Sequence, residues 1–174
     1  MRKLLILGAG QYGMVAREIA EAMGQFEHIS FLDDNSSAAI GRLSDFDRYT
    51  IDFDSAVVAI GNAETRLKLI EQLVAAGYDV PVLIHPRAYV APSAEIGRGS
   101  FIEPMTVIHT DVTIGMGCII SAGTIINHNA VVGEGCHLNC GTIVGARANV
   151  PSCTKTDYAQ IIRQIMVCEG NRVG

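Results

Sequence analysis

From residue 90 to residue 150 every sixth position is aliphatic: Val90, Ile96, Ile102, Ile108, Ile114, Ile120, Ile126, Val132, Leu138, Val144 and Val150. If aliphatics fill about a quarter of positions, chance gives such a run roughly once in a million or less. Two residues before each sits a small or short-branched one: Ala88, Ala94, Ser100, Thr106, Val112, Cys118, Thr124, Ala130, Cys136, Thr142 and Ala148. A strand of about six residues that turns through roughly 120° returns to register after three repeats, so such a chain winds into a triangular prism of stacked parallel strands. Each aliphatic then points into the prism and each small residue fits where the chain bends. Gly97, Gly115 and Gly133, spaced by 18, stack at one corner. The ladder spans a little over three coils and stops at Val150-Pro151. In the tail, Ile161, Ile162, Ile165 and Met166 have helical spacing after a cap at Thr154 or Thr156, which predicts a short helix over the open apolar end.

The first half has a different rhythm. Lys3 to Leu7, Ile29 to Leu32 and Ser55 to Ile60 read as buried strands, and Tyr12 to Met23 and Ala63 to Ala76 as amphipathic helices. Val15, Ile19 and Met23 stripe the first helix; Leu67, Ile70, Leu73 and Val74 stripe the second, which Gly77 ends. Alternation of strand and helix predicts a small α/β parallel sheet of Rossmann-like type. Residues 34 to 52 are polar and irregular and carry no assignment. Three segments follow: an α/β unit over 1–83, a coiled all-β unit over 84–152 and a tail over 153–174.

Composition removes several function classes. With 13 basic against 18 acidic residues the chain offers no footprint for nucleic acid and no basic run for a membrane surface. The opening MRKLLILGAG has too short an apolar stretch for a signal peptide, and nothing approaches a membrane span. Cys118, Cys136, Cys140, Cys153 and Cys168 form no CxxC pair, so no metal site or disulfide framework is expected and a reducing cytoplasm fits. Cys118 and Cys136, 18 apart at the bend position, are expected as stacked packing residues.

LLILGAGQYG near the start, FLDD at 31–34, VVAIGNAETR at 57–66, LIHPRAYV at 83–90 and IINHNAVVGEGCHLNCGTIVG at 125–145 carry a resemblance. Over roughly residues 2 to 150 the chain resembles the sialic acid O-acetyltransferase and UDP-amino-sugar N-acetyltransferase family (NeuD/PglD type). That resemblance implies a left-handed parallel β-helix, against the usual right-handed crossover. It also implies acetyl-CoA as cosubstrate, a UDP-linked amino sugar as acceptor, and a homotrimer with sites between neighbouring prisms.

Gly8-Ala9-Gly10-Gln11-Tyr12-Gly13 follows a strand and opens a helix, the context in which glycines let backbone approach a pyrophosphate at the helix N-terminus. Asp33 and Asp34 lie about 20 residues on, as a ribose contact would. A unit of 83 residues is too short for the two halves a dinucleotide spans, which argues against NAD. The resemblance implies instead that Gly8, Gly10, Tyr12, Gly13, Asp33, Asp34, Gly61 and Asn62 hold the nucleotide, with Arg66 a further contact.

His128 stands two residues past an inward aliphatic and projects outward from a strand-corner region. A His near its ordinary pKa removes a proton from an attacking amine at neutral pH, and the resemblance gives His128 the role of general base. The family has an acid directly after this His, where this chain has Asn129. Asn129 orients the ring by a hydrogen bond without stabilising an imidazolium by charge, so Glu134 or Asp111 are candidate substitutes. The resemblance places His137 at the thioester, polarising its carbonyl with a backbone N–H of Gly145 or Ala146. His109 reads as a solvated surface residue, His85 as a mark of the junction between the halves, and His28 as bland. O-acetylation of a sugar hydroxyl and a GDP-linked acceptor are the near alternatives. A non-catalytic sugar-nucleotide-binding protein is the distant one, because the repeat dissolves after Pro151 where the family continues its coils.

Overall fold

The computed structural model describes residues 2–164. Strand β1 (Arg2–Leu7), helix α1 (Gln11–Met23), strand β2 (Phe26–Leu32), a 3-10 helix (Leu43–Tyr49), strand β3 (Ser55–Val58) and helix α2 (Ala63–Ala75) build the first unit. Its three strands are parallel in the order β2-β1-β3. Leu4 and Ile6 of β1 face α1 and the coiled unit, whereas Leu5 and Leu7 face α2. Both faces are therefore covered, which is why Leu4 to Leu7 form an unbroken apolar run with no exposed atom. In α2, Ile70 and Leu73 are buried as their spacing predicts, but Val74 is exposed. The stretch without a sequence assignment is tied down by side chains: Tyr49 donates to the carbonyl of Ile40 at 2.8 Å and Tyr78 to that of Phe46 at 2.7 Å.

The second unit is a left-handed parallel β-helix of two-residue rungs. One face stacks Leu83–Ile84, Phe101–Ile102, Ile119–Ile120 and His137–Leu138; the next stacks Tyr89–Val90, Val107–Ile108, Ile125–Ile126, Ile143–Val144 and Ile161–Ile162. The third stacks Glu95–Ile96, Thr113–Ile114, Val131–Val132 and Asn149–Val150. Each rung pairs in parallel with the rung 18 residues away, so the second residue of every rung points inward. Ile102 through Val150 of the ladder are buried, and the bend residues Ser100, Thr106, Val112, Cys118, Thr124, Ala130, Cys136, Thr142 and Ala148 are buried with them. At the corner of Gly97, Gly115 and Gly133 the coils approach closely: a Cβ on Gly115 would lie 2.5 Å from the backbone nitrogen of Glu134.

The tail differs from expectation. Ile161–Ile162 is not helical but a rung paired with Ile143–Val144, and Thr156 occupies the inward ladder position with 2 % exposure. Its hydroxyl accepts from the Asn139 backbone N–H at 2.8 Å and meets the Thr142 hydroxyl at 2.9 Å, so a polar side chain is satisfied inside the prism. The coil thus continues past Pro151. Ile165 and Met166 lie outside the described residues.

The α/β unit docks on the first face. Leu83, Phe101 and Ile119, three of the four outward residues there, are fully buried against the side of the sheet that carries α1. The outward residues of the second face are Tyr89, Val107, Ile125, Ile143 and Ile161, all apolar or aromatic, with Tyr89 57 % and Ile161 53 % exposed. The third face turns Glu95, Thr113, Val131 and Asn149 to solvent. Among the described residues no helix is long and apolar enough to cross a membrane.

Candidate active site at a prism corner and a junction cleft

From Gly99 onward each bend of the prism passes through one residue of positive φ; at the corner between the second and third faces these are Asp111, Asn129 and Arg147, with φ of 55°, 58° and 58°. Asn tolerates this left-handed conformation better than most residues. The Asn129 backbone N–H donates to Thr110, and the His128 carbonyl accepts from Arg147, so the turn is stitched to the coils on either side. His128 is exposed, and its Nδ1 lies 2.9 Å from Asn129 Oδ1. In the tautomer whose Nδ1–H donates to this amide oxygen, Nε2 faces solvent with its lone pair. Gly145 and Ala146 stand one coil above at the same corner. The Gly145 N–H is spent on Ile162 O at 2.8 Å, so it is not a free donor; the Ala146 N–H has no partner among the described residues. Asp111 stacks one coil below Asn129, whereas Glu134 sits at the following corner, a third of a coil away.

His137 lies elsewhere. Nine residues past His128 is half a coil, which carries it to the first face, where it lines a cleft of about 340 Å³ between α1 and the prism. Gln11, Tyr12, Glu103, Ser121 and Asn139 line the same cleft. Burial, with Lys155 and Arg66 nearby, pushes the His137 pKa down to about 4, so the ring is neutral at pH 7. Its Nε2 is 3.4 Å from Ser121 Oγ. Tyr12 packs edge-on against Phe101, with centroids 5.5 Å apart, and burial beside Glu103 raises its phenol well above the usual range. One chain therefore does not bring His128 and His137 together.

The glycine turn is held by Asp33, whose Oδ2 accepts from Ala9 N–H at 2.8 Å and whose Oδ1 accepts from Asn35 and Ser36. These three donors hold its carboxyl below the ordinary Asp value. Gly8 has φ 105°, and a Cβ on Gly13 would meet Gly8 O at 2.2 Å, so the turn closes only with glycine at both. Gly10 caps α1, and Asn62 caps α2 by accepting from Thr65 N–H at 2.8 Å. Asp34 accepts from Leu43 N–H and lines a cleft with Ser44, Thr65 and Gln72.

Arg66 corrects the sequence reading. It has no exposed surface, and its guanidinium donates to the carbonyls of Gly117 (2.7 Å), Gly135 (2.8 Å), Ile60 (2.7 Å) and Gly61 (3.1 Å). The side chain fastens the α/β unit to two left-handed corners of the prism and is not presented to a ligand. Glu103, Ser121 and Asn139 are the residues the sequence reading missed. Each follows an inward aliphatic by one and each is 18 from the next, so the same period that exposed the ladder marks this column.

Residues 3–73 match the PglD N-terminal domain and residues 94–128 the bacterial transferase hexapeptide (six repeats). UDP-N-acetylbacillosamine N-acetyltransferase of Bacillus subtilis (strain 168) is 31% identical over 112 residues, 59% of this chain and 51% of that one. The match thus spans about half the length of that curated relative. The acetyltransferase domain of PglB from Neisseria gonorrhoeae FA1090, in complex with acetyl coenzyme A, is 30% identical with a TM-score of 0.73, over 92% of this chain and 84% of that one. PerB from Caulobacter crescentus, in complex with CoA and GDP-perosamine, shares the fold, with a TM-score of 0.69 at 23% identity over 91% and 90% of the two chains. A coiled prism with a glycine-turn α/β unit docked on one face and an outward imidazole at a corner defines a hexapeptide-repeat protein of the acyltransferase class. The PglB likeness covers more than two thirds of both chains. The chain belongs to the family of sialic acid O-acetyltransferases and UDP-amino-sugar N-acetyltransferases.

Proposed function

We propose that the protein transfers an acetyl group from acetyl-CoA to the amino group of a UDP-linked amino sugar, with His128 as general base. The observation that carries this reading is the ring of His128, tied at Nδ1 to Asn129 and open at Nε2 on an exposed corner. In the step it serves, the amine nitrogen bonds to the thioester carbonyl carbon and loses its proton to Nε2. The C–S bond then breaks and the imidazolium returns that proton to the departing sulfur. Such a base is worth about 10² to 10⁴ in rate. Asn129 holds the ring without neutralising the imidazolium, so this chain runs the step with orientation rather than charge behind the base.

The neutral His137, unable to act as base at pH 7, suits the role of hydrogen-bond donor to the thioester oxygen, joined by the Ala146 N–H. Because it lies half a coil from His128, the two meet at one substrate only if they come from different copies. The apolar second face, with Tyr89 and Ile161 exposed, supports self-association; a homotrimer is the assembly we propose. Residues 1–83 then bind the nucleotide through the glycine turn, Asp34 and the Gly61-Asn62 turn, and the coiled unit that follows performs the transfer. Continuation of the coil to Ile162 supports a catalytic reading over a purely binding one. The test is incubation with acetyl-CoA and a panel of UDP- and GDP-linked amino and hydroxy sugars, read by mass spectrometry. The expected result is one acetyl gained by a UDP-linked amino sugar; acetylation of hydroxy sugars alone, or of none, overturns it.

A further inference from the structure

The cleft between α1 and the prism holds a group that neither the ladder nor the glycine turn accounts for. Glu103 is 9 % exposed, yet its carboxyl lines this cleft. Its Oε2 accepts from the Ala122 N–H at 3.0 Å, and the Ser121 and Tyr12 hydroxyls stand beside the carboxyl. No cation reaches it: among the described residues Glu103 has no ion pair, Arg66 is spent on four carbonyls, and the remaining lining of the cleft contains no Lys or Arg. Beside it the buried Tyr12 hydroxyl lies short of hydrogen-bond geometry and has no partner. A carboxylate this buried without a cation is costly, and an unpartnered phenol beside it adds to that cost. A buried carboxylate without a counter-charge and a phenol without a well-aligned partner, next to a neutral imidazole, are what a bound cation would satisfy.

We propose that Glu103 is a specificity-determining residue that receives the amine of the acceptor sugar, in its ammonium form, at the mouth of this cleft; one ammonium proton passes to the Glu103 carboxylate before the neutral amine attacks, and the second goes to His128 as above. The inference rests on the acetyltransferase reading above and adds to it the choice of amine over hydroxyl. An ammonium supplies both the positive charge the carboxylate lacks and N–H donors that the carboxylate and the Tyr12 oxygen accept. A sugar hydroxyl supplies a donor without the charge, so it leaves the carboxylate uncompensated. Burial raises the Glu103 carboxyl above its ordinary value, the direction expected of a carboxylate waiting for a cation. Ser121, one coil above Glu103 in its column and 3.4 Å from His137 Nε2, places the bound amine next to the imidazole assigned to the thioester.

The test measures binding, not turnover, so that it stands apart from the role of His128. Calorimetry compares a UDP-linked amino sugar with its counterpart bearing a hydroxyl in place of the amine, on the wild type, on Glu103→Gln and on Glu103→Asp. Gln keeps the size of the side chain and still accepts from the Ala122 N–H. The wild type is expected to prefer the amino sugar by roughly tenfold or more. Glu103→Gln is expected to lose that preference while binding the hydroxy sugar as the wild type does, and Glu103→Asp to keep part of it. Equal weakening of both ligands in Glu103→Gln, or an amine preference that survives it, overturns the inference and leaves the acetyltransferase reading standing. Failure of the wild type to bind either UDP-sugar overturns both.

Discussion

Replacing Arg66 with Met tests whether this residue is a structural clamp or a ligand contact. The guanidinium is the only described hydrogen-bond partner of the Gly117 and Gly135 carbonyls, at 2.7 and 2.8 Å, in a fully buried setting. Met fills similar space but donates nothing, so both carbonyls lose their partner at about 1–3 kcal/mol each. Release of a buried cation offsets part of this, and burial already lowers the Arg66 pKa, which is the mark of that cost. The net loss is roughly 3 kcal/mol, and for a domain of this size about 2–4 °C of Tm accompanies each kcal/mol. A Tm lower by roughly 6–12 °C is therefore expected in calorimetry or by circular dichroism. Arg66→Lys is expected to recover only part of it, because one ammonium does not span carbonyls of the α/β unit and of two successive coils. UDP affinity of Arg66→Met, measured well below its Tm, should be unchanged. An unchanged Tm with a loss of UDP affinity would refute the argument and restore Arg66 to the nucleotide site.

Three further outcomes follow from the geometry. Gly115→Ala forces a Cβ against the Glu134 backbone at 2.5 Å, where no flexible side chain can yield, and is expected to cost about 1–3 kcal/mol or more in urea unfolding. His137, with its folded pKa lowered to about 4, resists protonation that the unfolded chain accepts near pH 6.5; its contribution to stability is present above that value and is lost as pH falls toward 4. A fall of up to roughly 3 kcal/mol is expected across that window, and His137→Asn should flatten this part of the stability profile. Asp33→Ala removes the acceptor of three backbone N–H groups at the glycine turn and is expected to destabilise by about 1–3 kcal/mol and weaken UDP binding, both checked in one thermal-shift titration.

The prism was legible because a single period, repeated eleven times, leaves only one way to bury the aliphatics. The same period failed at the tail. Thr156 is polar where the ladder calls for an aliphatic, and only the coordinates reveal that Thr142 and Asn139 satisfy its hydroxyl. Ile161 and Ile162, outward and inward residues of one rung, mimic a helical stripe when joined to Ile165 and Met166. Arg66 is illegible for a different reason: a charged residue after a Gly-Asn turn looks available in sequence, and its partners are carbonyls 51 and 69 residues away. The separation of His128 from His137, in contrast, is already implied by nine residues on an 18-residue coil. The Asn62 cap and the close Gly8–Gly13 contact are local and follow from residue chemistry. The column of Glu103, Ser121 and Asn139 follows the same 18-residue period, one position past each inward aliphatic.

The proposed transfer depends most directly on the open nitrogen of His128. Thiol release from acetyl-CoA, followed in the presence of a UDP-linked amino sugar that the wild type acetylates, should fall by about 10² to 10⁴ in His128→Ala, with UDP binding and Tm close to wild type. Thiol release by His128→Ala within a few-fold of wild type would contradict it.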